Sequence, residues 1–175
     1  SFYDNGIHLT SFPDGIWEMI NLEVLHLSSY YITSVPDGIG NLINLQELYI
    51  TGDQLTTISD NIGNLINLRE LTLGGDLIIS IPESIGNLTN LTNLSIPDTR
   101  INSIPESIGN LINLNFLLLQ ENELISIPES IGNLVNLQNL YLQDNQLTSL
   151  PQSLCNIPSS CLIMVQRNKL CEEYR

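Results

Sequence analysis

Basic residues are scarce in this sequence of 175 residues, which has 5 Lys and Arg against 19 Asp and Glu and a formal net charge of −14. Affinity for nucleic acid and for anionic lipid comes mainly from Lys and Arg, so an acidic surface repels both. We therefore expect no nucleic-acid partner. The charge favours a protein partner with a basic or mixed surface.

Long apolar runs are also missing. No stretch approaches the roughly 18–20 apolar residues that span a bilayer as a helix, so membrane insertion is not expected. The sequence begins with Ser1 and has no signal-like start, so we expect a processed or excised chain. A soluble protein in the cytoplasm and a secreted or effector protein both agree with these observations, and the compartment stays open.

Residues that carry catalysis or bind metals are few. The sequence has two His, His8 and His26, and contains no GxxxxGK[ST], GxGxxG, HExxH or paired CxxC motif. We therefore predict no enzyme, no catalytic residue, no metal site and no cofactor in these 175 residues. A catalytic domain elsewhere in a longer parent protein is compatible with the sequence.

The three cysteines, Cys155, Cys161 and Cys171, lie close to the C-terminal end. An odd number leaves at least one thiol unpaired within the chain. Their spacing fits no zinc site, and no His lies near them. One disulfide and three free thiols both remain open.

A short phrase recurs at a fixed interval. SIPESIGNL begins at Ser80, Ser103 and Ser126, each time 23 residues further on. Seven apolar positions recur with the same period along nearly the whole chain; in one cycle they are Leu68, Leu71, Leu73, Ile78, Ile81, Ile85 and Leu88. Such self-similarity is typical of a solenoid, in which each coil buries its apolar face against its neighbours.

Each cycle contains the signals of two local structures. The alternating end of LxxLxL predicts a short strand with one buried face, and strands of consecutive coils would pair in parallel about 4.8 Å apart. A Pro then marks the return path, and a Gly follows four residues later, as in Pro82 and Gly86. This spacing leaves room for one 3₁₀ or α-helical turn.

The full pattern LxxLxLxxNxLxxIPxxIGNLxNL, which residues 114–136 match at every framework position, resembles the 23-residue class of leucine-rich repeat. The resemblance implies an α/β solenoid, a horseshoe with a parallel concave β-sheet of about seven strands and short 3₁₀ or helical turns on the convex side. It also implies protein binding on the concave face. The sequence lacks the LTGxIP form of plant receptor repeats, reading LTSLP at 147–151, and is nearer to the intracellular and bacterial group.

The same resemblance divides the chain. Residues 1–175 form a single leucine-rich repeat domain, in which 1–21 are an N-terminal partial coil or cap and 160–175 a C-terminal one. Six full repeats occupy 22–159, and the register weakens at Ser160, where a Leu is expected.

Strand positions that flank the inward Leu residues point to the concave face and are free to bind a partner. One predicted apolar cluster with an acidic rim consists of Phe116, Leu118, Tyr141, Leu162 and Met164, with Glu121 and Asp144 at its edge. Aromatic anchors surrounded by polar groups are typical of interface hot spots. A second cluster consists of His26, Glu47, Tyr49 and Glu70. As an alternative, Leu162 and Met164 cover the last coil beneath the C-terminal tail.

Three further columns have a structural and a functional interpretation. The family's loop Asn is complete only in the last three coils, while Asp53 and Asp76 occupy the same column earlier and are read as loop carboxylates or a cation site. Acids after the Pro column are read as solvated first-turn residues or as a docking strip for a basic partner. Asn87, Asn90 and Asn93 begin formal glycosylation triplets, which chance overlap with the framework also explains. The acid column is Asp14, Asp37, Asp60, Glu83, Glu106 and Glu129.

We therefore predict a protein–protein interaction module that binds its partner on the concave face. One alternative is a targeting or substrate-recognition fragment of a larger effector or enzyme. Another is a self-associating structural repeat protein, and a monomer or a weak homodimer is expected.

Overall fold

Parallel strands at an interval of 23 residues build the molecule. The computed structural model describes residues 2–5, 9–13 and 15–170. The strands in this part of the chain are β1 Phe2–Asn5, β2 Val24–Ser28, β3 Ser34–Val35, β4 Glu47–Thr51, β5 Thr57–Ile58, β6 Glu70–Gly74, β7 Asn93–Ser95, β8 Phe116–Leu118, β9 Asn139–Tyr141 and β10 Leu162–Met164.

Eight of these strands form one parallel sheet in the order β1-β2-β4-β6-β7-β8-β9-β10. Each strand is shifted by one full coil from its neighbour, so that Val24 lies opposite Glu47 and Glu47 opposite Glu70. The prediction of a parallel sheet of about seven strands is confirmed. The eighth strand, β1, comes from the N-terminal partial coil.

The return path of each coil contains one short 3₁₀ helix, as the Pro-to-Gly spacing predicts. The first spans three residues and the others five each. Most begin directly after the Pro column, where Pro is the N-cap residue in an extended conformation and its ring fixes φ near the value of a helix start. They span Ile16–Glu18, Asp37–Asn41, Asp60–Asn64, Glu83–Asn87, Glu106–Asn110, Glu129–Asn133 and Gln152–Asn156.

The apolar framework positions form one continuous core. Leu25 and Leu27 on β2 are fully buried, and the alternation continues on the next strands. Burial of one such side chain stabilises the fold by roughly 1.5–3 kcal/mol. The buried cluster runs from Ile16 to Leu170, so each coil is stabilised mainly by its neighbours.

The loop that leaves the sheet has two forms. In the first three full coils the strands have five residues, whereas β7 to β10 have three. After each short strand a non-Gly residue takes a left-handed backbone, and the next side chain then turns inward. The left-handed residues are Asp98 (φ 52°), Glu121 (φ 57°), Asp144 (φ 58°) and Arg167 (φ 55°).

The side chain that follows decides between these two forms. Asn122 is buried and donates its amide hydrogens to the main-chain oxygens of Ile96 and Leu119, at 2.8 and 3.1 Å. The first coils have Tyr30, Asp53 or Asp76 in this column, and all three are exposed. An ionised carboxylate cannot donate hydrogen bonds to carbonyl groups, so Asp53 and Asp76 cannot replace the inward amide, and the strands before them extend to five residues.

Glycine permits the close approach of the longer strands. A Cβ added at Gly52 would lie 2.3 Å from the main-chain oxygen of Ser29, and one at Gly75 would lie 2.5 Å from that of Gly52. The obstacle is a neighbouring backbone, which cannot move aside without breaking the sheet.

A small second sheet pairs β3 with β5. It ends at Ser59, the one member of the Pro column that is not Pro, and the Ser59 N–H donates to the main-chain oxygen of Val35 at 3.0 Å. Pro lacks this donor, so the Ser permits an extra bond between two coils. The sequence pattern did not predict this sheet.

Within residues 2–5, 9–13 and 15–170, no helix has both the length and the apolar character needed to cross a membrane. The division into a partial coil at 1–21, six repeats at 22–159 and a partial coil at 160–175 stays a prediction.

Candidate functional site

The strand register brings the predicted apolar residues together. Leu118 lies opposite Tyr141, and Tyr141 lies opposite Met164, so these three side chains form a row across β8, β9 and β10. A second row places Phe116 next to Asn139 and Asn139 next to Leu162. We call these five apolar residues the apolar patch: Phe116, Leu118, Tyr141, Leu162 and Met164.

The apolar patch is open to solvent and held in place. Leu162 is 51% exposed, and the other four side chains are partly exposed. The Asn139 amide donates to the Tyr141 hydroxyl oxygen at 3.1 Å, which fixes the ring beside its polar neighbour. Leu162 is exposed, so residues up to 170 do not cover it. The rest of the tail, 171–175, lies outside the described residues.

An acidic column borders the apolar patch at the carboxyl ends of the strands. It consists of Asp98, Glu121 and Asp144, and it ends at Arg167, whose Nη1 lies 3.1 Å from Asp144 Oδ1. A hydrogen bond with the Asp98 carboxyl, followed by repulsion from the same group, raises the pKa of Glu121 above its ordinary value. The column therefore brings three carboxylates and one guanidinium together at this border.

The second predicted cluster lies at the other end of the sheet. His26 Nε2 is 3.6 Å from Glu47 Oε2, and the His26 ring centroid is 5.6 Å from that of Tyr49. Glu47 lies opposite Glu70 in the register, and Tyr49 is 39% exposed. We call His26, Glu47, Tyr49 and Glu70 the acidic–aromatic cluster.

Small polar residues separate the two clusters. The strands between them contribute Thr72, Asn93 and Ser95 to the same face. The strand register therefore places two separate groups of partly exposed side chains on the sheet, with small polar residues between them.

Sequence reasoning missed an amide ladder at the amino ends of the strands. Asn44 donates its side-chain N–H to the Ile20 oxygen at 2.8 Å, and the Asn one coil later repeats the contact with Ile43. The Asn that recurs in the INL triplet could have indicated this ladder, but it is part of the repeat pattern and was interpreted as structural only. The donors are Asn44, Asn67, Asn90, Asn113 and Asn136, at 2.7 to 2.9 Å.

The convex acid column lies in the first turns of the 3₁₀ helices, as predicted for its members from Asp37 onwards. Asp37 accepts a hydrogen bond from the Ser59 hydroxyl. Glu129 accepts from the backbone N–H groups of Gln152 and Ser153, at 3.2 and 3.0 Å. These two carboxylates therefore accept hydrogen bonds from groups of the next coil. Asp14 lies outside the described residues.

The cysteines and possible metal ligands form no site in the described part of the chain. No group of three or more His, Cys, Asp or Glu there is arranged to hold a metal ion, and Asp53 and Asp76 are both exposed. Cys155 and Cys161 are free thiols, and burial raises the pKa of Cys161. Cys171 lies outside the described residues.

The three glycosylation triplets differ in exposure. Asn87 and Asn90 are exposed, whereas Asn93 is partly buried on the concave face. The Asn90 amide nitrogen also donates to the Ile66 oxygen at 2.8 Å, as part of the ladder. Glycosylation of any of them stays a prediction.

Comparison with protein families decides the identity of the repeat. The model of the leucine-rich repeat region matches residues 10–99 and 53–124, and a second leucine-rich repeat model matches residues 136–157. The chain belongs to the leucine-rich repeat family. This fold is a common protein–protein interaction module, and its members are typically non-enzymatic interaction domains.

Solved leucine-rich repeat structures are similar to the chain. One is a leucine-rich repeat protein of Leptospira interrogans, with a TM-score of 0.70 and 25% identity over 93% of this chain and 53% of that protein. Another is the plant peptide hormone receptor RGFR1 in complex with RGF2, with a TM-score of 0.70 and 25% identity over 97% of this chain and 34% of the receptor. An internalin of Listeria monocytogenes has a TM-score of 0.67 and 23% identity over 90% of this chain and 45% of that protein.

The predicted family is thus confirmed, and bacterial leucine-rich repeat proteins are among the similar structures. None of the curated proteins compared by sequence is a significant match. The chain spans about half the length of the Leptospira protein and about a third of that of the plant receptor.

Proposed function

We propose that the chain binds another protein on its concave face, with the apolar patch as anchor. The observation that carries the proposal is the row of Leu118, Tyr141 and Met164 on three adjacent strands, partly exposed at positions without a role in the core. A solenoid supplies such a row at little entropic cost, because its strands are ordered before the partner arrives.

Energetic arguments favour Phe116 and Tyr141 as hot spots. Aromatic side chains offer large contact areas with few rotatable bonds, and Tyr adds a hydroxyl that a partner can reach. Leu118, Leu162 and Met164 provide the surrounding apolar contacts that exclude water.

The charges around the apolar patch favour a partner with Lys or Arg. Asp98 and Glu121 lie on one side, and Glu47 and Glu70 lie towards the other end of the sheet. An extended partner that reaches both ends would contact the apolar patch and the acidic–aromatic cluster together. Binding should therefore weaken as ionic strength rises.

A role as the recognition part of a larger protein is compatible with this proposal. Its motivation is that the chain spans only 53% of the Leptospira protein and 34% of the plant receptor. Self-association through the apolar patch competes for the same surface, and sedimentation across a concentration range distinguishes it from a monomer.

A comparative pull-down tests the proposal. Wild type and a Phe116→Ser, Tyr141→Ser double variant are used as bait in lysate of the source, and bound proteins are quantified by mass spectrometry. Each substitution should weaken binding by about 1–3 kcal/mol, so a partner retained by wild type should be lost from the double variant.

The matched control removes two aromatic rings elsewhere. A Tyr30→Ser, Tyr31→Ser variant loses an exposed pair, 56% and 42% exposed, that does not lie on the concave face. This variant should retain the partner. Retention by all three baits, with both variants folded, would contradict the concave site and direct attention to the convex acid column.

A further inference from the structure

A groove runs along the amino ends of the strands, on the opposite side of the sheet from the acidic column. Two adjoining cavities of about 430 and 480 Å³ form it and share Asn67 and Arg69. One wall is the Asn ladder. The other wall is formed by the residues directly before each strand, such as Gln46 before β4 and Asn115 before β8. The groove therefore extends over several coils.

The amides of the Asn ladder are held by hydrogen bonds before any ligand binds. Each ladder Asn donates one N–H to a carbonyl of the preceding coil. Its Oδ1 and its second N–H are not used in this bond and can bond to a ligand. Groups of this kind recur at the coil spacing of about 4.8 Å. Because the amides are already held, little side-chain entropy remains to be lost on binding.

The groove is nearly uncharged, which is unusual in a chain with a net charge of −14. Of its lining residues only Glu23 and Arg69 are charged, and the others are Asn, Gln and Thr. In the sequence, the residue directly before each Asn of this column is apolar and exposed in most coils, but it does not line either cavity. These residues are Ile20, Ile43, Ile66, Ile112 and Val135, each 49% to 57% exposed, and Thr89 occupies the same column.

We propose that this groove binds a neutral glycan chain. Hydroxyl groups donate and accept hydrogen bonds and so match a wall of amides that does both. A glycan also repeats about once per sugar ring, a distance close to the coil spacing of about 4.8 Å.

Two other ligand classes fit less well. Peptides that bind in grooves gain specificity from side-chain pockets, and hot spots for proteins are rich in aromatic residues, whereas amides dominate this lining. Anions would require a cationic wall, and Arg69 stands alone among the lining residues as a cation.

Affinity electrophoresis tests the proposal. The folded chain is run in native gels that contain hydroxyethyl cellulose, galactomannan, soluble starch or, as an anionic comparison, polygalacturonate. At least one neutral polysaccharide should retard wild type. A Gln46→Ala, Asn115→Ala variant should bind that polysaccharide about tenfold more weakly, as expected for the loss of two hydrogen bonds.

The variant and its control are matched in composition. Gln46 and Asn115 join neighbouring coils through their backbone N–H and C=O groups, which Ala retains. The control, Gln54→Ala with Asn102→Ala, removes the same side-chain types from exposed positions outside the groove. If the first variant does not fold, Gln46→Glu with Asn115→Asp preserves size and should weaken binding to the same polysaccharide.

Three results would overturn the proposal. These are no retardation in any neutral gel, retardation by polygalacturonate alone, and equal retardation of wild type and both groove variants. Loss of retardation in the groove variant but not in the control supports it. The concave substitutions at Phe116 and Tyr141 should leave retardation unchanged, so this test and the pull-down succeed or fail independently.

Discussion

Individual side chains in the loop column contribute unequally to stability. Asn145 is buried, donates to the oxygens of Leu119 and Leu142 at 2.9 and 3.1 Å, and accepts from the Leu124 N–H at 2.9 Å. Asp76 occupies the same column three coils earlier and is exposed. The column therefore stabilises the C-terminal half of the solenoid and not the N-terminal half.

Substituting these two residues should separate the two environments. Asn145→Ala leaves buried backbone groups without partners and should lower the free energy of unfolding by about 2–4 kcal/mol. Asp76→Ala should change it by less than about 0.5 kcal/mol. Urea denaturation followed by circular dichroism measures both, and equal effects would refute the distinction.

The acidic rim should make stability depend on pH. The folded chain raises the pKa of Glu121 above its ordinary value of 4.5, so it binds this proton more tightly than the unfolded chain does. The resulting stabilisation is present below the unfolded pKa and is lost as pH rises through the folded one.

Glu121→Gln should therefore raise the melting temperature at about pH 7, and the gain should shrink towards about pH 3.5, where the carboxyl is protonated. Glu123→Gln changes the net charge equally at an exposed position outside the column and serves as the control. Thermal unfolding at several pH values tests this, and a gain that does not depend on pH would contradict it.

At the scale of strands and turns, two adjacent glycines have different surroundings. A Cβ at Gly75 would lie 2.5 Å from the Gly52 main-chain oxygen, whereas one at Gly74 would first meet the Thr51 Cγ2 atom at 3.2 Å. Gly75→Ala should cost about 1–3 kcal/mol of unfolding free energy, and Gly74→Ala less than about 1 kcal/mol. Denaturant midpoints of the two variants give the comparison, and the reverse order would disprove the packing of these strands.

The Ser in the Pro column offers a second test of an element. A substitution towards the repeat consensus usually stabilises a protein. Ser59→Pro should instead destabilise this chain by about 1 kcal/mol, because it removes the N–H that bonds to Val35 and the hydroxyl that caps Asn61. A higher melting temperature in this variant would count against the β3–β5 pairing.

The sequence predicts the elements well because each signal is repeated. The period of 23 residues places the strands of the main sheet and the 3₁₀ turns, and the register then places Phe116, Tyr141 and their neighbours on one face. The two loop forms were not predicted, since they depend on whether a side chain such as Asn122 can fold inward. The β3–β5 sheet was missed because it depends on one exception, Ser59.

At the scale of the whole molecule, the solenoid presents three different surfaces. The concave face carries the apolar patch and the acidic–aromatic cluster, the convex side carries a column of carboxylates of which Asp37 and Glu129 bond to the next coil, and the amino-end groove is nearly neutral. The sequence predicted the first two as columns of residues. It did not predict the groove, which lies between the ladder Asn residues and the residues directly before each strand. The distance between these two columns depends on the path of the loops, which the repeat pattern does not specify.

In the proposed function, a partner protein contacts the sheet at the apolar patch. The most direct measurement is photo-crosslinking in lysate, with a benzophenone amino acid placed at Tyr141 in one sample and at Tyr30 in another. A protein adduct should form from position 141 and should be weakened by the Phe116→Ser substitution, and no adduct of that size should form from position 30. An adduct from position 30 without one from 141 would contradict the proposed function.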